Sequence, residues 1–227
     1  RMVMTTSIGI SIFPDDGKTC EELLKNADLA LYQSKDSGRN GLNFFSANLK
    51  ARAMLELQME EELRHALRED TGLMLYYQPI LDLKTDQVSK LEALIRWQHP
   101  VHGFLAPDRF IGVAEANGLI TELDNWVLRK ACVDLGELAR QGCGHLKIAI
   151  NCSPLTLARE ELSDEISFAL RSAGVEPHRL ELEVTESALM GNIADTLVLL
   201  QQIRALGVSL SIDDFGTGYS SLAYLKR

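Results

Sequence analysis

The sequence lacks the features of a membrane protein and of a secreted one. No apolar run approaches the roughly 20 residues that span a bilayer, and the first residues lack the apolar stretch of a signal peptide. Its four cysteines (Cys20, Cys132, Cys143 and Cys152) form no CxxC pair and have no histidine at zinc-finger spacing. We therefore expect reduced thiols and a cytoplasmic chain, whose parent could carry a membrane tether in segments outside these residues.

Positive charge is also scarce. The 227 residues include 23 Lys and Arg against 32 Asp and Glu, which gives a formal net charge of −9. This balance argues against binding duplex nucleic acid through the phosphate backbone, whereas a small nucleotide held through metal ions stays open. The 46 % of hydrophobic residues predicts a globular chain with a buried core.

Hydrophobic periodicity predicts an α/β protein in three parts. Residues 1–46 have the pattern of a strand, a helix and a short strand. Residues 47–69 form a charged helical pattern, which we interpret either as a helix linking two domains or as a surface helix packed on a neighbour. Residues 70–227 alternate strands with helices, which is typical of a largely parallel sheet wrapped by helices.

The third part contains five predicted strands. They are Leu73–Leu83, Val88–Arg96, Leu146–Asn151, Leu180–Thr185 and Val208–Asp214. A short turn joins the first two, so these must pair antiparallel. The longer, helix-containing connections that follow predict parallel pairing for the others.

Oxygen-bearing side chains recur at the ends of these strands. Asn151, Glu183 and Asp213 lie opposite the aliphatic face of their strands, and Glu92 is on the second strand. Bare carboxylates sharing one pocket repel one another, so a hard divalent cation such as Mg²⁺, Mn²⁺ or Ca²⁺ is expected among them. The adjacent Asp213 and Asp214 could serve two ions, which is the usual device for phosphodiester cleavage.

A structural explanation competes with this one. Any single carboxylate at a strand end more often caps the next helix or pairs with a surface base. The group taken together, followed by Gly216 and Gly218 as the parts of a mobile loop, favours a site. Other candidates are weaker: we expect Trp97 and Trp126 to be packing residues and Ser153 to be a helix cap. The histidines in or beside turns are expected to be solvated rather than ligating, namely His99, His102, His145 and His178.

Five motifs follow one another along the chain: Tyr77-Gln78-Pro79-Ile80, Glu92-Ala93-Leu94-Ile95-Arg96-Trp97, Asn151-Cys152-Ser153, Glu183-Val184-Thr185-Glu186 and Asp213–Ser221. Together they closely resemble the EAL-domain family, the bacterial cyclic di-GMP phosphodiesterases, from about residue 57 to residue 227. The resemblance implies a partial TIM-like (β/α) barrel with an antiparallel first strand. It also implies hydrolysis of cyclic di-GMP to linear pGpG.

The same resemblance implies a metal centre with two Mg²⁺ or Mn²⁺ ions. The residues that match the family's ligands to the first ion are Glu92, Asn151, Glu183 and Asp213. Asp214 matches the ligand to the second ion. Glu92 is thereby a catalytic residue as well as a ligand.

The remaining roles implied by the family concern the substrate and one loop. Gln78, Leu94 and Arg96 match residues that contact cyclic di-GMP. Glu186 is the second catalytic match, because it would hold the loop that begins at Asp213 in its working shape. The family also implies a homodimer.

The first 46 residues resemble a second family. Ser7–Ser11, Ala27–Lys35 and Gly38–Asn40 are similar to the C-terminal part of a GGDEF domain, the α/β fold of diguanylate cyclases. Lys35 and Arg39 match residues that contact GTP phosphates there, although a surface salt bridge explains them equally well. GTP is therefore an expected partner only at a complete GGDEF domain.

Two departures from these families shape the expectation. The Gly-Gly-Asp-Glu-Phe motif is absent, and the chain stops at Arg227, before the last strands of an EAL barrel. Those strands carry a lysine, a glutamate and a glutamine of the family's site. We therefore expect a piece of a longer tandem GGDEF–EAL protein, impaired as an enzyme by itself. The alternative function is a non-catalytic receptor for cyclic di-GMP.

Overall fold

The structure is a computed structural model of the chain, and it describes residues 4–36, 40–190 and 193–213. Packing divides the chain into two compact units, Arg1–Glu62 and Leu63–Arg227. Strands and helices occur in both units, which confirms the mixed α/β architecture expected from the periodicity.

The first unit contains a small sheet and a helix. Strands β1 (Ile8–Ile10) and β2 (Leu42–Phe44) pair in parallel, and helix α1 (Cys20–Asp36) lies between them in the chain. Thr19 and Glu22 form a capping box at the start of α1. The Thr19 hydroxyl accepts from the Glu22 N–H, and the Glu22 carboxylate accepts from the Thr19 N–H, both at 3.2 Å.

The second unit is built around a six-stranded sheet. Its elements follow helix α2 (Ala47–Glu69) in chain order: β3 (Leu73–Asp82), β4 (Gln87–His99), β5 (Gly103–Leu105), α3 (Ile111–Ala116), α4 (Ile120–Arg140), β6 (Lys147–Cys152), α5 (Pro154–Leu157), α6 (Leu162–Ala173), β7 (Leu180–Thr185), α7 (Ile193–Ala205) and β8 (Ser209–Asp213). The strand order is β3-β4-β6-β7-β8, with β5 paired to β4.

The pairing of these strands agrees with the prediction. Strands β3 and β4 are antiparallel, whereas the pairs β4–β6, β6–β7 and β7–β8 are parallel. One difference is at the end of β4, which continues to His99 instead of stopping at Arg96. The cause is the unpredicted strand β5, which folds back on β4 and pairs Leu105 with Trp97.

One face of the sheet forms the core. Ile148, Leu180 and Leu182 are at most 2 % exposed and lie on the side covered by helices. From the helices, Leu135 and Ile166 are fully buried. Each such side chain contributes roughly 1.5–3 kcal/mol when it leaves water. The aliphatic face therefore packs against the helices, and the opposite face carries the polar side chains, including the candidate site residues.

The aromatic residues and His99 show where local expectations succeed and fail. Trp97 is buried, and the Trp126 indole N–H donates to Asp70 at 2.6 Å, which confirms that both tryptophans are packing residues. The expectation of solvated histidines is confirmed for His102, His145 and His178, which are exposed, and is wrong for His99, which is only 1 % exposed. Its Nδ1 accepts from the N–H groups of Val101 and His102, both at 3.1 Å, so a turn encloses the ring.

Two further properties bear on the class of protein. All four cysteines are free thiols, and burial raises the pKa of Cys132 to about 12. Such a thiol is unreactive at neutral pH. Within the parts of the chain that the structure describes, every helix is too short or too polar to cross a lipid bilayer.

Tyr77 locks β3 to helix α4, and this contact is open to test. Its hydroxyl donates to Asp134 Oδ2 at 2.6 Å, while Lys130 donates to the other oxygen of Asp134 at 2.6 Å. We expect Tyr77→Phe to lower the free energy of unfolding by about 2 kcal/mol, because a partly buried hydrogen bond to a charged group is lost. Urea denaturation measures it. Tyr76→Phe, which is half exposed, is the matched control, and an equal loss in both variants would contradict the assignment.

Candidate active site

The parallel register brings the polar strand ends to one face of the sheet. Glu92 on β4 pairs with Ala149 on β6, and Ala149 pairs with Glu181 on β7. Two residues further along, Asn151 pairs with Glu183. Because side chains alternate between faces with a period of two, all five lie on the same face.

Strand β8 extends this face. Ser211 pairs with Glu183, and Asp213 pairs with Thr185, so Asp213 lies one step beyond Glu183 on the polar side. The Glu186 N–H donates to the backbone carbonyl of Asp213 at 3.3 Å, and this bond ties the end of β7 to the end of β8. Glu186 itself is 8 % exposed. Asp214 and the residues that follow it lie outside the described residues.

Glu92 and Asn151 are in contact at the rim of the sheet. The Asn151 side-chain Nδ2 donates to Glu92 Oε1 at 3.4 Å. Asn151 is exposed and Glu92 is half-buried, so both side chains are accessible from solvent. The amide also leaves its own carbonyl oxygen as a further ligand atom beside the carboxylate.

A lysine shares this polar face with the carboxylates. Lys90 Nζ lies 2.7 Å from Glu181 Oε1 and 3.4 Å from Glu183 Oε1. Burial raises the pKa of Glu183, and repulsion from Glu92 and Glu181 adds to the rise against the attraction of Lys90. The pKa of Glu181 lies below its usual value. Burial acts to raise this pKa, but the hydrogen bonds from Lys90 and Ser211 lower it by more.

Asp124 of helix α4 holds the turn that follows Asn151. Its Oδ2 accepts from the Ser153 N–H at 3.0 Å. The Ser153 hydroxyl accepts from the Thr156 N–H at 3.2 Å and caps helix α5, as predicted. Burial raises the pKa of Asp124, although the hydrogen bonds from Ser153 and Thr156 oppose this.

The predicted substrate residues lie on the same side of the β3–β4 hairpin. Gln78 pairs directly with Glu92, and Leu94 and Arg96 follow Glu92 at intervals of two. The Arg96 guanidinium carbon lies 5.8 Å from the centre of the Tyr76 ring. Tyr76 and Phe104 are about half exposed, and their ring centres are 5.4 Å apart.

The predicted nucleotide contacts of the first unit are described only in part. Lys35 is exposed in the last turn of α1, where a cation is favoured by the carbonyl end of the helix. Arg39 lies outside the described residues.

Five neighbours of the site escaped the sequence reasoning: Lys90, Glu181, Asp124, Tyr76 and Phe104. The alternation that places Glu92 on the polar face also places Lys90 there, two residues earlier, and it could have pointed to that residue. The pairing of Lys90 with β7 depends on strand order, which the sequence does not display. Asp124 comes from a helix, and Phe104 comes from a strand that was not predicted.

The donor set fits a hard divalent cation. Glu92, Asn151 and Glu183 offer two carboxylates and an amide oxygen from neighbouring strands, and Asp213 lies one register step away. Oxygen atoms of this kind are the ligands that Mg²⁺ and Mn²⁺ prefer. Burial raises the pKa of Glu183, repulsion from Glu92 adds to the rise, and a cation would stabilise the charged carboxylate.

Comparison with known proteins shows the family to which this chain belongs. Residues 60–227 match the model of the EAL domain family, and residues 1–41 match that of the GGDEF diguanylate cyclase domain. The chain belongs to the EAL domain family, whose solved structures are TIM-like barrels. The expected resemblance to both families is confirmed.

Two relatives from Pseudomonas aeruginosa are similar over nearly the whole chain. The cyclic di-GMP phosphodiesterase NbdA is 61 % identical over 226 residues, which cover 100 % of this chain and 29 % of NbdA. The bifunctional diguanylate cyclase/cyclic di-GMP phosphodiesterase MucR is 46 % identical, over 99 % of this chain and 33 % of MucR. The chain thus spans about a third of the length of these relatives.

A solved structure of a related phosphodiesterase has a similar fold. The PaMucR phosphodiesterase in complex with cyclic di-GMP superimposes with a TM-score of 0.70 and is 44 % identical. The match covers 74 % of this chain and 68 % of that one.

The raised pKa of Asp124 makes a prediction about stability and pH. A raised carboxyl pKa stabilises the fold below the ordinary value of 3.8, and this contribution is lost as the pH rises through the higher folded-state pKa. Asp124→Asn keeps an acceptor for Ser153 without the charge, so it should gain stability relative to the wild type between pH 3.8 and 7.

Urea unfolding of both proteins across this pH range measures the difference. Asp124→Ala is the control that removes the acceptor, and it should be less stable than Asp124→Asn at every pH. If the free energy of unfolding of the wild type instead rose relative to that of Asp124→Asn as the pH rises, the prediction would be contradicted. The charge of Asp124, and not only its hydrogen bond, would then stabilise this turn.

Proposed function

We propose that this chain forms part of a cyclic di-GMP phosphodiesterase, which opens the cyclic dinucleotide to linear pGpG. The proposal depends above all on one observation: oxygen-bearing side chains of neighbouring strands are aligned on one face of the sheet. The chain also belongs to the EAL family. The activities named for NbdA and MucR and the solved PaMucR complex with cyclic di-GMP support the same substrate.

We propose two Mg²⁺ or Mn²⁺ ions as the cofactors. EAL phosphodiesterases depend on metal ions. When bound, such ions lower the pKa of water and offset the negative charge of a phosphate. The residues that would hold the first ion are Glu92, Asn151, Glu183 and Asp213, and Asp214 would hold the second.

The side chains and backbone of this chain would keep those ligands in place. Strand register sets the spacing of Glu92, Asn151 and Glu183, and the backbone bond from Glu186 positions Asp213. Hydrolysis forms one bond from a water oxygen to phosphorus and breaks the bond from that phosphorus to a ribose 3′ oxygen. The released 3′ oxygen takes a proton, and the product carries a 5′ phosphate.

The β3–β4 hairpin supplies the contacts proposed for the dinucleotide. Gln78 offers an amide that can pair with a guanine edge or a phosphate, and Arg96 offers a cation for phosphate. Leu94 adds apolar contact between them. The half-exposed rings of Tyr76 and Phe104 beside Arg96 form a surface on which a purine base can stack.

A receptor that holds cyclic di-GMP without cleaving it is the second candidate. It requires the same hairpin contacts but does not require the carboxylates. The acidic rim residues of the described strands are all present, together with the amide of Asn151, and this favours the enzyme.

The same proposal extends to the domain organisation, the assembly and the location of the protein. We propose a tandem GGDEF–EAL protein divided near residues 46 and 69, in which α2 connects the domains. GTP would contact Lys35 and Arg39 within a complete GGDEF domain. A homodimer is the expected assembly, and the free thiols fit a cytoplasmic location.

Glu92→Gln tests the proposed activity. It keeps the size of the side chain and removes one carboxylate ligand, so we expect hydrolysis of cyclic di-GMP by the full-length protein to fall by about a hundredfold or more. Chromatography of pGpG formed with Mg²⁺ and with Mn²⁺ measures the rate. Glu137→Gln, an exposed carboxylate change on α4, should leave the rate unchanged.

The outcomes separate the two candidate functions. Hydrolysis by the wild type that is lost only in Glu92→Gln supports the enzyme. Tight binding of cyclic di-GMP without pGpG formation supports the receptor. Full activity of Glu92→Gln would remove Glu92 from the catalytic site.

A further inference from the structure

Lys90 is the cation at the centre of the polar face. Its side chain is 20 % exposed, and those of its partners Glu181 and Glu183 are 13 % and 12 % exposed. The contact with Glu181 is short, at 2.7 Å, whereas the contact with Glu183 is long, at 3.4 Å. Lys90 is therefore anchored on Glu181 and reaches Glu183 as a secondary partner.

A small residue on the intervening strand makes this reach possible. Lys90 is on β4 and its partners are on β7, so its side chain must pass over β6. Lys147 is the residue of β6 that pairs with Lys90. Ala149, the next residue of β6 on the same face, lies between Glu92 and Glu181 in the register and is fully buried. Its methyl group leaves room that a longer side chain would fill.

Charge on this face is unbalanced in the absence of metal ions. Glu92, Glu181, Glu183 and Asp213 are acidic and lie on one face of the sheet, so the carboxylates of Glu92 and Glu181 repel that of Glu183. Lys147, on the neighbouring strand, acts on Glu181 at a distance. Among the described contacts of Glu183, the ion pair with Lys90 and a hydrogen bond from the Ser211 hydroxyl at 3.4 Å oppose this repulsion, and Lys90 is the charged partner.

We propose that Lys90 is an internal counter-cation that holds Glu183 when the metal is absent and competes with the metal for this carboxylate. This inference rests on the proposed function, because it takes Glu183 to be a metal ligand. When Glu183 binds an ion, Lys90 gives up its long contact and stays on Glu181. Lys90 is thus a positioning residue that sets the metal affinity of the site, and Glu181 determines how strongly it competes.

Two substitutions should shift the affinity in opposite directions. Lys90→Met removes the competitor, so the full chain should bind Mn²⁺ about tenfold more tightly, the order expected for removing one positive charge near a divalent ion in a well-screened site. Glu181→Gln removes the charged anchor and leaves Lys90 to Glu183, so it should weaken Mn²⁺ binding severalfold. Electron paramagnetic resonance of free Mn²⁺ measures both affinities without any need for catalysis.

Two further variants are the controls. Lys90→Arg keeps the charge and should keep the affinity within about twofold of the wild type. Lys130→Met removes a paired lysine from helix α4, on the opposite side of the sheet, and should not change the affinity. A general effect of net charge would move Lys130→Met together with Lys90→Met, and this would overturn the proposal.

Stability gives an independent readout. Without metal, Lys90→Met should unfold at a lower temperature than the wild type, and saturating Mn²⁺ should close the gap. Mn²⁺ affinity that is unchanged or weaker in Lys90→Met overturns the proposal, as does a wild type that binds no Mn²⁺. If Lys90→Met fails to fold, the direction of the Glu181→Gln shift decides.

The proposed activity is measured separately on the same proteins. Opposite shifts of Mn²⁺ affinity without pGpG formation would support the role of Lys90 and contradict the phosphodiesterase. Hydrolysis with no shift in affinity would support the phosphodiesterase and contradict the role of Lys90.

Discussion

The parallel register of β4, β6, β7 and β8 is the constraint on which the site depends. Backbone hydrogen bonds fix which residues are neighbours across the sheet, so Asn151 must lie beside Glu183, and Glu92 on the adjacent strand contacts Asn151. A shift by one residue in any strand would turn its polar side chains into the packed layer and its aliphatic ones toward solvent. Packing of Ile148 and Leu182 beneath the helices resists that shift. The core therefore holds the geometry of the site.

This register also creates an electrostatic problem. It gathers acidic groups on a surface that is partly removed from water, where their repulsion is less screened. Lys90 relieves part of the repulsion through Glu181 and Glu183. A divalent cation would relieve the rest. An ion pair that stabilises the metal-free protein therefore lowers the affinity of the same carboxylates for a metal ion.

The sequence predicts the parts of this arrangement that depend on local order. Alternation of apolar and polar residues located the strands and their faces, and the short turn between β3 and β4 required antiparallel pairing, as the structure confirms. Motif resemblance identified the family. The roles of Glu92, Asn151, Glu183 and Asp213 as ligands remain predictions, although the register brings their strands together.

Contacts between distant segments were beyond sequence reasoning. Lys90 meets Glu181 across β6, and this contact depends on the strand order, which does not follow from local pattern. His99 has a polar side chain beside a turn, which suggests exposure, yet β5 and the turn enclose it. Asp124 gains its role from the packing of α4 on the strand end. Each error or omission arises where tertiary packing overrides local preference.

The most direct test of the account is to locate the metal. Crystals of the intact protein grown with Mn²⁺ and cyclic di-GMP would give anomalous scattering from manganese. The account predicts a peak at about 2.0–2.6 Å from oxygen atoms of Glu92, Asn151, Glu183 and Asp213, on the polar face and next to a phosphate of the dinucleotide. Manganese bound only elsewhere, with these four side chains free of any ion, would contradict it.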